Sequence, residues 1–319
     1  MTTFKQIRGT DILALSSDPT APETGQIWYN SSSGTLKGYI LANVNAWSSG
    51  GNMNTGRNEL SGCGTQTLAL AFGGLPTNTT ATEKYNGTAW TNNPTGLNTG
   101  RRQAGGIGLQ TAALAFGGYI TASTAASESF NGTSWTNTPS LNTARHAIIG
   151  FGSNTAAIGF GGYSGGSTTA TESWNGSSWT NTTALNTGIR AGAGAGTQTA
   201  GLAFGGYISA PSAITQSWTG TTWTTVNSMN TARQNLGGCG TQTAALAFGG
   251  GPAATSATEL WNGTAWTSNP TGLGTARYVL AGAGTQTAGL AFGGYTPSFS
   301  TATELFTGQA LQTKTITVS

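Results

Sequence analysis

Apolar residues in this chain fall in short runs closed by glycines, such as "AALAFGG" from Ala112 to Gly118 and "AGLAFGG" from Ala200 to Gly206. Such runs, bounded by turn residues and rich in aromatics, predict buried strands, and no segment has the spacing of an amphipathic helix. The triplet Phe-Gly-Gly begins at Phe72, Phe116, Phe160, Phe204, Phe248 and Phe292, always 44 residues apart. "GTQTAGLAFGG" recurs unchanged from Gly196 and from Gly284, two periods apart. A fixed period held over six copies is the mark of a repeat architecture.

One period predicts four strands. A run of small residues such as "AGAGAG" comes first, then the turn "TQT", then the Phe-Gly-Gly strand. A loop of variable sequence follows, and then "ATELWNGTAWTSNP", which reads as a hairpin. Its turn, Asn262-Gly263, predicts a type I′ geometry with positive φ at both residues. The same dipeptide stands at Asn86-Gly87, Asn131-Gly132 and Asn175-Gly176. Trp90, Trp135, Trp179, Trp223 and Trp266 each follow a Phe-Gly-Gly by 18 or 19 residues, and Trp47 fits the same phase. Four antiparallel strands per period predict an all-β fold, a β-propeller. Small residues suit the first strand, because inner strands crowd the propeller axis. Cys63, Ile107, Phe151, Ala195, Cys239 and Ala283 share one inner position. The two cysteines, four periods apart, are expected as free buried thiols.

These units resemble the kelch repeat, in which a strand ends in Gly-Gly, a Glu-bearing strand with an aromatic follows, and a Trp comes several residues on. Gly73-Gly74, Glu83, Tyr85 and Trp90 match, as do later units over about residues 47–306, except that Gln216 stands where the others have Glu. The resemblance implies a kelch-like propeller and says little about function. The six Gly-Gly repeats cover about residues 57–306. "QIWYN" (Gln26–Asn30), "GTLKGYI" and Trp47 read as a degenerate blade, and "LQTKTITVS" as a further strand. That gives seven blades, with six as the alternative if the Trp47 strand closes the last blade. The expected domains are an N-terminal attachment segment, 1–24, and the propeller, 25–319.

Only 7% of the 319 residues are charged, and the net charge is +3. No basic run is longer than Arg101-Arg102, so no nucleic-acid footprint is expected. Most charges recur with the repeat. Arginines stand at Arg57, Arg101, Arg145, Arg190, Arg233 and Arg277, and glutamates at Glu83, Glu128, Glu172, Glu259 and Glu304. We expect an Arg–Glu or Arg–carbonyl brace within each blade, weaker opposite Gln216, where the charge-assisted pair is lost. The rival reading is a ring of arginines that grips anions.

Catalytic chemistry is sparse. His146 is the single histidine, Asp11 and Asp18 are the only aspartates, and Glu59 is the one repeat-region acid off the Glu pattern. One acid is not the pair that glycoside hydrolysis needs, and no Cys/His cluster suits zinc. The expectation is a non-enzyme with no cofactor and no metal. The Asn-x-Ser/Thr sequons coincide with the hairpin turns and are read as turn chemistry.

Variation concentrates in the loop after Gly-Gly: "LPTNTTA", "YITASTAAS", "YSGGSTTA", "YISAPSAI", "GPAATSA" and "YTPSFSTA". In an antiparallel blade these loops share a face with the blade-to-blade connections, and binding residues favour variable loops on a rigid scaffold. Tyr119, Tyr163, Tyr207 and Tyr295, each following Gly-Gly, are the candidate ligand rim; otherwise they pack locally as strand caps. "PETGQIWYNSSSGTLKGYI" followed by Trp47 is similar to a segment of bacteriophage tail-fibre and other virion proteins, and the Gly-rich "TAALAFGG" units resemble marine phage structural proteins. With no apolar secretory stretch in "MTTFKQIRGTDILALSS" and no membrane-spanning run, the resemblance implies a virion component made in a host cytoplasm. Its partners would be other virion proteins and a host-surface glycan or receptor. The alternatives are a purely architectural virion protein and a kelch-type protein-interaction adaptor.

Overall fold

A computed structural model describes residues 12–316, and every regular element in it is a strand. The described residues divide into a propeller, 46–307, and a terminal unit made of 12–45 with 308–316. The sequence placed that boundary at residue 24. Residues 1–11 of the expected attachment segment lie outside the described residues.

Blade 1 has strands Ser61–Gly64, Ala69–Phe72, Thr82–Tyr85 and Trp90–Asn92, paired antiparallel in that order. Blades 2 to 5 repeat this plan, and each inner strand packs on the next until the sixth packs on the first. The propeller therefore has six blades, the alternative count. Blade 6 takes its inner strands, Ala281–Gly284 and Ala288–Phe292, and its third strand from the C-terminal end of the propeller. Its outer strand is the end of Thr35–Ser49, which carries Trp47, so that strand closes the ring rather than belonging to a seventh blade.

Ring closure repeats one aromatic contact six times. Each outer-strand Trp packs on the Phe that precedes Gly-Gly in the preceding blade. Centroids are 4.8 Å apart for Trp135–Phe72, 5.0 Å for Trp179–Phe116, 5.1 Å for Trp223–Phe160 and 4.9 Å for Trp266–Phe204. Across the closing junctions the values are 4.9 Å for Trp90–Phe292 and 5.0 Å for Trp47–Phe248. Five of these indoles also donate to a hydroxyl of that preceding blade, as Trp135 does to Thr82 (3.0 Å) and Trp47 to Thr258 (2.9 Å). The "TQT" turns contribute a second set of staples. Gln286 Nε2, for example, donates to the carbonyls of Ala245 and Trp261 in the blade before it.

Inner strands are small because aromatics occupy the space beside them. A Cβ on Gly106 would lie 2.7 Å from Phe72 Cζ and 2.9 Å from Ser61 Cβ. Cys63 and Cys239 are buried free thiols at their shared position, and burial pushes both up to about 12. The hairpin turns differ from the type I′ expectation. Gly87 has φ +93°, but Asn86 does not take positive φ; its side-chain oxygen instead accepts the N–H groups of Thr88 (3.0 Å) and Ala89 (2.8 Å). The carboxamide thus supplies by hydrogen bonding what the backbone of a type I′ turn supplies by conformation.

Charged braces lie inside the blades. Arg145 Nη2 meets Glu172 Oε1 at 2.8 Å, and Arg145 Nη1 donates to the carbonyls of Gly161 (2.7 Å) and Ala170 (2.8 Å). Arg57–Glu83, Arg101–Glu128, Arg233–Glu259 and Arg277–Glu304 repeat the pair, all buried. Blade 4 corrects the expectation. The 44-residue period from Arg145 falls on Ile189, not on Arg190, and Ile189 is fully buried opposite Gln216. Gln216 makes both amide bonds to the Thr187 backbone at 3.0 Å. Both charges have been exchanged together for a neutral pair, so no weakened brace exists there.

In the terminal unit, Ile27–Asn30 pairs antiparallel with the start of Thr35–Ser49 and parallel with Leu13–Leu15. The buried Trp28 indole (3.0 Å) and the Asn30 amide (2.7 Å) donate to Asp18 Oδ1, and Lys37 reaches Oδ2 at 2.8 Å. The Lys37 hydrogen bond first, then those of Asn30 and Trp28, hold the Asp18 carboxyl down at about 2. A depressed carboxyl stabilises the fold above its unfolded value of 3.8 and loses that contribution as pH falls toward 2. The Trp28 indole N–H resonance should therefore shift and broaden across that window, and Asp18→Asn should remove the transition.

Candidate axial binding site

The Gly-Gly loops and the entries to the inner strands meet at one end of the axis, the face expected to be variable. Gly117 and Gly118 take φ +63° and +104°, and a Cβ on Gly117 would lie 2.7 Å from the Arg145 carbonyl, so only glycine turns the chain here. Just beyond, Tyr119 bridges Arg102, Tyr163 bridges His146, Tyr207 bridges Arg190 and Tyr295 bridges Tyr278 by main-chain bonds. The residue after each brace position, Ile189 in blade 4 and an arginine in the other three, thus faces the residue after Gly-Gly.

Next along the chain come Glu59, Gln103, Ala147, Ala191, Asn235 and Val279, one per blade, all with φ between +47° and +54°. Left-handed backbone at six equivalent non-glycine positions is compensated by hydrogen bonds running from blade to blade. Gln103 N donates to Glu59 O (2.9 Å), Val279 N to Asn235 O (2.8 Å) and Glu59 N to Val279 O (3.1 Å). Val279 is the costliest member, because a β-branched side chain clashes most in this region. Val279→Asn should raise stability by about 1 kcal/mol, read as a higher denaturant midpoint with an unchanged slope.

Three of the four expected tyrosines do come together, though not as a free rim. They alternate with basic side chains in one stack across blades 2, 3 and 4. Arg102 lies 4.7 Å from the Tyr119 ring, Tyr119 lies 5.3 Å from His146, and His146 lies 5.0 Å from Tyr163. Arg190 is sandwiched between Tyr163 (4.8 Å) and Tyr207 (4.6 Å). Tyr295 stands apart from this stack, against Tyr278 and Phe299. The tyrosines are half-buried and hold the cations in place.

Inside the stack is a cavity of about 380 Å³ lined by Gln103, His146, Ala147, Tyr163, Arg190, Ala191, Gln234 and Asn235. A narrower pit of about 100 Å³ lies on the axis, lined by the six left-handed residues and their successors. Burial, and then the charges of Arg190 and Arg102, hold the His146 imidazole below its usual value, and its Nδ1 shares a hydrogen bond with Ser123 Oγ at 2.9 Å. His146 is therefore neutral at pH 7. Glu59 meets Arg102 at 3.2 Å, while burial raises its carboxyl. The cavity offers three carboxamides, a neutral imidazole, a phenol and a guanidinium. Carboxamides donate and accept in one group, as ligand hydroxyls require. Gln103, Gln234 and Asn235 were not singled out by sequence as ligand groups; Arg190 entered only through the rival reading of an anion-gripping ring of arginines, and strict counting of the period puts it one residue out of phase.

No protein-family model matches the chain, and no curated protein matches it. Solved structures do. The structure of YjhT aligns with a TM-score of 0.65 at 13% identity, covering 83% of this chain and 99% of its own. At that identity the likeness concerns the fold alone, and with the strand order it establishes a β-propeller.

Proposed function

We propose that the protein is a non-enzymatic binding module of a phage particle, whose propeller presents its variable face to a glycan on the host surface. The observation that carries this reading is the amide-lined cavity beside the Arg102–Tyr119–His146–Tyr163–Arg190–Tyr207 stack, on the face where loop sequence varies. Sugar rings bind by hydroxyl hydrogen bonds and contact with aromatic faces, and the cavity supplies both on a rigid, ring-closed platform. The terminal unit serves as the attachment part, consistent with the resemblance of "GQIWYN" and "LKGY" to phage virion segments. The test is cryo-EM of the native particle that contains this chain. A propeller with Tyr119, Tyr163 and Tyr207 facing outward is expected. The same face packed against neighbouring virion subunits would leave a purely architectural role, and absence from every particle would remove the virion assignment.

A further inference from the structure

We infer that the axial cavity takes an anionic ligand, a carboxylate-bearing sugar, with Arg190 as its anion-binding centre. The inference rests on the glycan-contact reading above and names the class of glycan.

Among the described residues, five arginines are locked to the blade glutamates, and Arg102 is answered by Glu59. The Arg190 side chain makes no ion pair there and packs on the two tyrosine rings. The guanidinium carbon lies over both rings, within 5 Å of each centroid. A guanidinium held against aromatic faces keeps its in-plane N–H groups available, and those groups can grip a carboxylate with two parallel bonds. Arg102 shows the arrangement completed from within. It lies over a single ring, Tyr119, and its Nε is 3.2 Å from Glu59 Oε2, a carboxylate supplied by the preceding blade that answers its charge as an ion pair without a hydrogen bond between those two atoms.

Shift this arrangement by two blades and the position of Glu59 becomes Ala147, 88 residues on. Ala147 has φ +49° against +53° for Glu59, so the backbone is the same and only the side chain differs. Ala147 and Arg190 both line the 380 Å³ cavity, with Gln103, Gln234 and Asn235 across it. The repeat therefore provides a cation without its carboxylate at the place where a ligand has room. The amides suit the hydroxyls of the same ligand, which favours a uronic acid over a bare oxyanion.

The test is calorimetric titration of the full-length chain with glucuronate, glucose and inorganic phosphate. Glucuronate should bind at least about tenfold more tightly than glucose. Arg190→Gln should weaken glucuronate by about tenfold or more. Ala147→Glu should do the same with Arg190 intact, because it installs the internal counter-ion at a backbone conformation that already accepts Glu at position 59. Unchanged melting temperatures establish that both variants are folded. Equal affinity for glucuronate and glucose, or glucuronate binding that survives both substitutions, overturns the inference. Phosphate binding without glucuronate binding overturns its assignment to acidic sugars. Glucuronate binding at Arg190, alongside a particle whose propeller face is buried, would sink the host-contact reading and leave this one standing. Neutral-glycan binding on that face, indifferent to both variants, would do the reverse.

Discussion

Arg145→Ile should lower the free energy of unfolding by about 3–5 kcal/mol. The substitution leaves Glu172 buried, still accepting from the Asn142 N–H (2.6 Å) and side-chain amide (3.0 Å) but without its counter-ion. Adding Glu172→Gln should recover most of the loss, because blade 4 already folds with that neutral pair, Ile189 and Gln216. A residual deficit of about 1–2 kcal/mol is expected, since the Gly161 and Ala170 carbonyls lose the guanidinium. The reverse change in blade 4, Gln216→Glu, should destabilise on its own, because no arginine stands opposite. Denaturant unfolding of the three variants and the wild type measures all of this. Equal losses in the single and double variants would show that the ion pair, and not the stranded charge, carries the energy.

Trp47→Ala should cost about 3 kcal/mol or more. Trp47 fills the closing junction between Phe248 (5.0 Å) and Phe306 (5.2 Å) and bonds Thr258. Its loss removes the aromatic contact that the ring makes at every other junction. The effect should match that of Trp179→Ala within about 1 kcal/mol, because the two indoles perform the same task in different blades. If Trp47 belonged to a dispensable terminal strand, Trp47→Ala would be nearly silent while Trp179→Ala remained costly.

The blades were legible in sequence because everything that makes one is local. The small inner strand, the "TQT" staple, the Phe-Gly-Gly strand and the Asn-Gly hairpin all sit within one period. Closure was not, because the Trp47 strand pairs with the far end of the chain and nothing local marks that pairing. The hairpin turns were placed correctly but given the wrong geometry, since a dipeptide does not reveal that the Asn86 side chain closes the loop. The candidate site was half legible. Tyr119, Tyr163 and Tyr207 were marked by their place after Gly-Gly. The residues they hold come from a position that varies from blade to blade: Asn58, Arg102, His146, Arg190, Gln234 and Tyr278. Such a position carries no repeat signal, and Arg190 was absorbed into the brace pattern by an offset of one residue. Strict counting of the period already places Ile189 at the brace position, and the fold shows it buried with Arg190 beside it against the tyrosines.

The central claim is that the variable end of the axis is the binding face, and a glycan array probed with the purified full-length chain tests it most directly. The account predicts retention of a restricted set of glycans, lost on Gln234→Ala with Asn235→Ala and unchanged on Leu68→Ser, a substitution at an exposed residue beside the "TQT" turn. No retained glycan by a folded chain, or retention that follows Leu68 and ignores Gln234 and Asn235, would contradict it.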